Sequence, residues 1–152
     1  MPDLRPILLV EDNPRDLELT LAALAKCQLA NEIVIARDGA EALDYLAARG
    51  SFEGRPPGDP AVVLLDLKLP KIDGLQVLEK VKNDRHQRQI PVVMLTSSRE
   101  ERDLVKSYEL GVNAFVVKPV EFNAFFEAIQ DLGMFWAVLN EPPPRPFTNE
   151  AQ

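Results

Sequence analysis

Three carboxylates, a hydroxyl and an ammonium each stand directly after an apolar run in this chain: Glu11-Asp12 after Ile7–Val10, Asp66 after Ala61–Leu65, Thr96 after Pro91–Leu95, and Lys118-Pro119 after Phe115–Val117. If the runs are parallel strands lying side by side, these groups gather at one edge of a sheet. Carboxylates about 4 Å apart repel by roughly 4 kcal/mol at an effective dielectric of 20, so the cluster needs a cation or a proton. A hard divalent ion such as Mg²⁺ suits it, taking carboxylate oxygens, waters and phosphate oxygens. With the ion in place, one carboxylate becomes a usable nucleophile towards phosphorus. Phosphoryl transfer is catalysed mainly by positioning and by compensating charge on three equatorial oxygens. Lys118 can meet one oxygen, the Thr96 hydroxyl another, and Mg²⁺ the third.

The rest of the sequence supplies elements that would hold these groups. Apolar runs at 6–10, 32–36, 61–65, 91–95 and 114–117 read as strands, each followed by a helical pattern. This alternation predicts an α/β fold, a doubly wound five-stranded parallel sheet with helices on both faces. Asn13-Pro14 reads as an N-cap with proline at the first helical position, ahead of Leu17, Leu21 and Leu24 at helical spacing. Gly39 opens a second helix with Leu43, Leu46 and Ala47 inward, and Gly50 is expected to close it. The third helix starts at Asp73-Gly74, and the fourth runs from near Ser98 to Gly111. Residues 51–60, rich in glycine and proline, read as a surface excursion, and 141–146 as an extended proline-rich segment. The expected division is a domain over 1–139 and a proline-rich tail over 140–152.

Composition narrows the classes. The chain has 46% hydrophobic and 27% charged residues, ordinary for a globular protein. Seventeen basic against 24 acidic residues give a net charge of −7 without a basic cluster, which argues against nucleic-acid binding. No run approaches the ~20 apolar residues that cross a bilayer, so no membrane association is expected. One cysteine, Cys27, suits a reducing compartment such as the cytoplasm and reads as a small apolar helix residue. His86, in a polar stretch, reads as an exposed loop residue, and Tyr45 and Tyr108 as helix-surface or rim residues.

Together these motifs resemble the receiver domains of two-component response regulators, over nearly all of 6–135. Glu11-Asp12 resembles the family's acidic pair, Leu64-Leu65-Asp66 through Asp73-Gly74 its phosphoacceptor strand and following loop, and Thr96-Ser97 and Lys118-Pro119 its hydroxyl and lysine positions. Each motif alone is weak, whereas four at the correct strand ends are specific. The resemblance implies a flavodoxin-like strand order 2-1-3-4-5 and a signalling protein, not an enzyme. It makes Asp66 the residue phosphorylated by a sensor histidine kinase and Asp12 a direct Mg²⁺ ligand. Glu11 would act mainly through water, and the Lys68 carbonyl would fill another metal position. The Lys68 side chain and Ser98 would tune the lifetime of the acyl phosphate. Glu11 departs from the aspartate that many members carry, keeping the charge but lengthening the reach.

The resemblance also implies a switch. A phosphoryl group, adding about −1.5 to −2 charges, would draw Thr96 and Lys118 inward, and Phe115 would turn into the space behind the threonine. Throwing such a switch takes on the order of 5 kcal/mol of differential stabilisation. Output would leave through the face built by the fourth helix, the fifth strand and the last helix. In that last helix Phe122, Phe125, Phe126, Ile129, Leu132 and Trp136 form one stripe, while Phe135 and Leu139 point elsewhere. Positions 121–139 would extend about 28 Å, past a strand of ~17–20 Å. The overhang predicts a homodimer through Phe126, Phe135, Trp136 and Leu139, or cover by the tail. This region and the 51–60 excursion are similar to single-domain regulators paired with phytochrome-type kinases. Two other readings are an aspartate-nucleophile phosphatase, which expects Asp-x-Asp after the first strand and a cap, and a docking module that works without phosphorylation.

Overall fold

A computed structural model describes residues 5–26, 31–97 and 111–131. Its five strands are β1 (Ile7–Val10), β2 (Ile33–Ala36), β3 (Val62–Asp66), β4 (Val92–Thr96) and β5 (Ala114–Val117). They form one parallel sheet in the order β2-β1-β3-β4-β5. The helices are α1 (Pro14–Lys26), α2 (Gly39–Ala47), α3 (Gly74–Asn83) and a C-terminal helix, Phe122–Asp131. Every expected strand is present to within one residue at each end. The order turns back on itself between β1 and β3, the point at which doubly wound sheets place their sites.

Side-chain alternation divides the core into two layers. Leu8, Val10, Val63, Leu65 and Met94 pack with Leu43, Leu46 and Leu78 of α2 and α3. Ile7, Leu9, Val62, Leu64 and Leu95 pack with Leu17 and Leu24 of α1 and Phe125 of the C-terminal helix. β1, β3 and β4 are buried along their whole length, which is why they read as unbroken apolar runs.

Two expectations need correction. Tyr45 is buried at 5% exposure and belongs to the core layer under α2 and α3. The 51–60 excursion covers it: Phe52 meets its ring edge-on at 5.1 Å, and the Arg55 guanidinium lies 4.3 Å from the ring centroid. Arg55 also donates to the carbonyl oxygens of Tyr45 at 2.6 Å, Pro56 at 2.7 Å, Gly58 at 3.0 Å and Leu46 at 3.4 Å. Nor does Gly50 close α2. The left-handed cap is Ala48 at φ 54°, and Gly50, at φ 61°, starts a single 3₁₀ turn, Gly50–Phe52. The positive φ at position 50 favours glycine, while Ala48 takes the left-handed cap in spite of its β-carbon.

The stripe expected on the last helix is partly redistributed. Phe125 faces the core at 1% exposure, whereas Phe122 and Phe126 are half-buried and stack on each other at 5.6 Å. The expected fourth helix, Ser98, Cys27, Tyr108, the side chains of Ile129, Leu132, Phe135, Trp136 and Leu139, and the tail all lie outside the described residues. His86 is exposed in a turn, as expected.

Candidate functional site

Sheet register decides which groups can meet. Val10 pairs with Leu65, so Glu11 and Asp66 follow at one level. Asp66 pairs with Leu95, which sets Thr96 one residue further out, and Thr96 pairs with Val117, which sets Lys118 one further still. The Lys118 amide N–H donates to the Thr96 carbonyl at 2.7 Å and closes the staircase. The peptide bond from Lys118 to Pro119 is cis.

Local signals turn the chain sharply after each of these ends. Asn13 Oδ1 accepts from the amides of Arg15 and Asp16 at 2.9 and 3.0 Å, so α1 begins immediately beyond the acidic pair. After Asp66 the chain returns through Leu67–Ile72 to α3, whose capping box joins Asp73 and Gln76 reciprocally at 2.9 and 3.0 Å. A β-carbon on Gly74 would strike the carbonyl oxygens of Asp66 and Leu67, so only glycine lets α3 sit this close to the Asp66 backbone.

Glu11, Asp66 and Thr96 are buried, Asp12 is exposed, and the Lys118 side chain is 10% exposed. Ligand atoms of Glu11, Asp12 and Asp66 lie within 4.8 Å of one another. Lys118 Nζ is 3.1 Å from Asp66, 3.4 Å from Glu11 and 3.0 Å from Asp16. Lys68 is exposed, and its backbone N–H donates to the Asp66 carboxylate. The Thr96 hydroxyl is buried and has no hydrogen-bond partner among the described residues. Phe115 is half-buried against the layer under α2 and α3.

The electrostatics follow from crowding. Burial, the Asp66 charge and a hydrogen bond with Asp66 push the Glu11 carboxyl up to about 7 against the opposing pull of Lys118. Burial also raises Asp66, although the hydrogen bond with Glu11 and the nearer ammonium draw it back. Crowding thus pushes both carboxyls above the ordinary carboxylate range. Burial alone would depress the Lys118 ammonium, but the Asp16 hydrogen bond and the Asp66 and Glu11 charges outweigh it and raise the group above the ordinary lysine range. An oxygen-only set of three carboxylates, two of them buried and crowded together, suits a hard divalent cation that would relieve their repulsion.

Glu11, Asp12, Asp66, Lys68, Thr96 and Lys118 all come to this edge; Phe115 lies three residues back along β5, and Phe126 belongs to the expected interface. Asp16 was missed. It reads as an ordinary acid in the first turn of a helix, and its signal is positional: side chains lean towards a helix N-terminus, here towards the strand ends.

The described fold and site match a known family: residues 7–130 fit the response regulator receiver domain. The chain belongs to that family. Response regulator Rcp1 of Synechocystis sp. is 40% identical over 130 residues, 86% of this chain and 87% of Rcp1. Its solved Mn²⁺-bound form superimposes with a TM-score of 0.71 at 38% identity, covering 92% of this chain and 99% of that one. The solved bacteriophytochrome response regulator AtBRR is 80% identical with a TM-score of 0.86, covering 92% of this chain and 100% of AtBRR. RtBRR, another bacteriophytochrome response regulator, is 67% identical with a TM-score of 0.87 over 93% and 86% of the two chains. As a receiver domain the protein is a signalling component, and among its described residues no helix is long and apolar enough to cross a membrane.

Proposed function

We propose that the receiver takes a phosphoryl group from a sensor histidine kinase onto Asp66. An Asp66 carboxylate oxygen forms the new P–O bond as the P–N bond to the donor imidazole breaks, leaving its electron pair on nitrogen. The product is a mixed anhydride. The observation that carries the reading is the Thr96 hydroxyl, buried and unpartnered beside a buried carboxylate that already touches Lys118. A buried polar group left unbonded is costly, and an incoming phosphoryl oxygen would satisfy it.

Glu11, Asp12 and Asp66 would hold Mg²⁺, with the Lys68 carbonyl as a further ligand. Bound there, the ion would supply positive charge against the phosphoryl oxygens. Lys118 keeps a second positive charge within reach of Asp66, and the Lys68 amide orients the carboxylate. Thr96 and Phe115 would form the switch, since Phe115 of β5 pairs with Met94 of β4, two residues before Thr96. Similarity to AtBRR and RtBRR supports a phytochrome-type kinase as donor, and a chain with one cysteine fits the cytoplasm. Phe122 and Phe126, stacked and half-buried, support a homodimer through the last helix.

Incubating the full chain with acetyl phosphate and Mg²⁺ should add one phosphate by intact mass, and Asp66→Asn should abolish the adduct. An unmodified wild type, or an adduct that survives Asp66→Asn, would exclude the reading and favour a docking module. Sedimentation of the same wild-type sample should give a dimer; a monomer would remove the interface. The phosphatase reading has no support in the site, because Glu11-Asp12-Asn13 follows β1 in place of Asp-x-Asp.

A further inference from the structure

We infer that Asp16 is the positioning residue for Lys118, an anchor that holds the ammonium in place while its other partners change. The inference rests on Asp66 as phosphoacceptor. An ammonium has three N–H donors and no acceptor. At Lys118 three carboxylates stand around Nζ, from the end of β1 (Glu11, 3.4 Å), the end of β3 (Asp66, 3.1 Å) and the first turn of α1 (Asp16, 3.0 Å).

Two of those partners are committed elsewhere during the reaction. Glu11 belongs to the carboxylate cluster that a cation would draw on, and the Asp66 carboxylate becomes an acyl phosphate. Asp16 is not one of the clustered carboxylates and forms no new bond. It is also the shortest of the three contacts, and its backbone is held by the hydrogen bond that its N–H donates to Asn13 Oδ1 at 3.0 Å. A lysine head on a four-carbon stem is positioned only by what it binds. Asp16 therefore keeps the charge within reach of Asp66 as the phosphoryl group arrives, and it ties α1 to the end of β5.

The simpler account makes Asp16 a helix-start acid, favoured by the α1 dipole and indifferent to the chemistry. The two accounts separate cleanly. With acetyl phosphate and Mg²⁺, Asp16→Asn should slow adduct formation about tenfold, as a loosened charge at a reacting centre does. Asp16→Glu should recover part of the rate. Because Asp16 acts through Lys118, Asp16→Asn should add nothing in a Lys118→Met background, the mark of coupled residues in a double-mutant cycle. Independently of phosphorylation, the reactivity of Lys118 towards acetic anhydride, read by peptide mass, should rise in Asp16→Asn. Wild-type or faster phosphorylation of Asp16→Asn, an equal slowing in the Lys118→Met background, or unchanged Lys118 reactivity would each overturn the inference. Wild type that takes no phosphate fails the parent reading instead, and the acetylation result then stands alone as evidence on the anchor.

Discussion

Two cations hold opposite ends of this sheet, and they do so with different partners. At the C-terminal edge Lys118 is surrounded by carboxylates from β1, β3 and α1. Near the other edge Arg55 spreads its guanidinium over four backbone carbonyls and the face of Tyr45. Carbonyls held in a turn and a helix end cannot titrate, gain a phosphate or bind an ion in exchange, so the Arg55 cluster has one state. Carboxylates can do all three. The Lys118 cluster is built to be re-partnered, and its crowded carboxylates and unbonded threonine are the strain of that readiness. A planar fork suits the fixed task and a compact point charge the changing one.

The contrast can be broken most severely with pH. Glu11 is held near 7 in the folded chain against 4.5 for an ordinary glutamate. Between those values the folded state binds more protons than the unfolded one, so its stabilising share is complete below about 4.5 and is lost as pH rises through about 7. In metal-free buffer, denaturant unfolding at pH 5 and pH 8 should differ by about 3 kcal/mol, with pH 8 the less stable. Saturating Mg²⁺ should recover much of that at pH 8, about 2.7 kcal/mol at a hundredfold excess over Kd. Equal stability at both pH values, or indifference to Mg²⁺, would mean the carboxylates are not crowded.

A smaller effect sharpens the other half. Arg55→Ala removes the carbonyl contacts and the aromatic contact together, and should lower stability by about 2 kcal/mol. Its rate of phosphorylation by acetyl phosphate should stay within about twofold of wild type, because nothing in the Arg55 cluster reaches Asp66. A large loss of rate with folding intact would show that the two ends are coupled and that the division drawn between them is false.

The sequence carried the sheet well, for a physical reason. Strands buried on both faces are apolar along their length, so the polar groups Glu11, Asp66, Thr96 and Lys118 marked the strand ends, although the first three are themselves buried. Caps such as Asn13 and Asp73 were legible because their bonds are local. What could not be read depends on contacts between distant segments. Tyr45 owes its burial to Phe52 and Arg55, which no helical periodicity reports. Asp16 meets Lys118 across 102 positions of sequence. The cap at Ala48 puts an alanine in the left-handed region two residues before the glycine that the sequence pattern favours.

The one-residue stagger from Asp66 to Thr96 to Lys118 has a consequence for how the chain can vary in length. A residue inserted within Val92–Thr96 or Ala114–Val117 would reverse which side of the sheet each later side chain meets and carry the hydroxyl or the ammonium off its step. The stretch after α2 obeys a looser rule: the Arg55 and Phe52 contacts fix its base, but a β-carbon at Gly54 would meet nothing within 4 Å and the ladder resumes only at Val62. Lengthening or trimming there leaves every rung where it was. The molecule thus has one edge where counting is strict and one where the chain is free to grow.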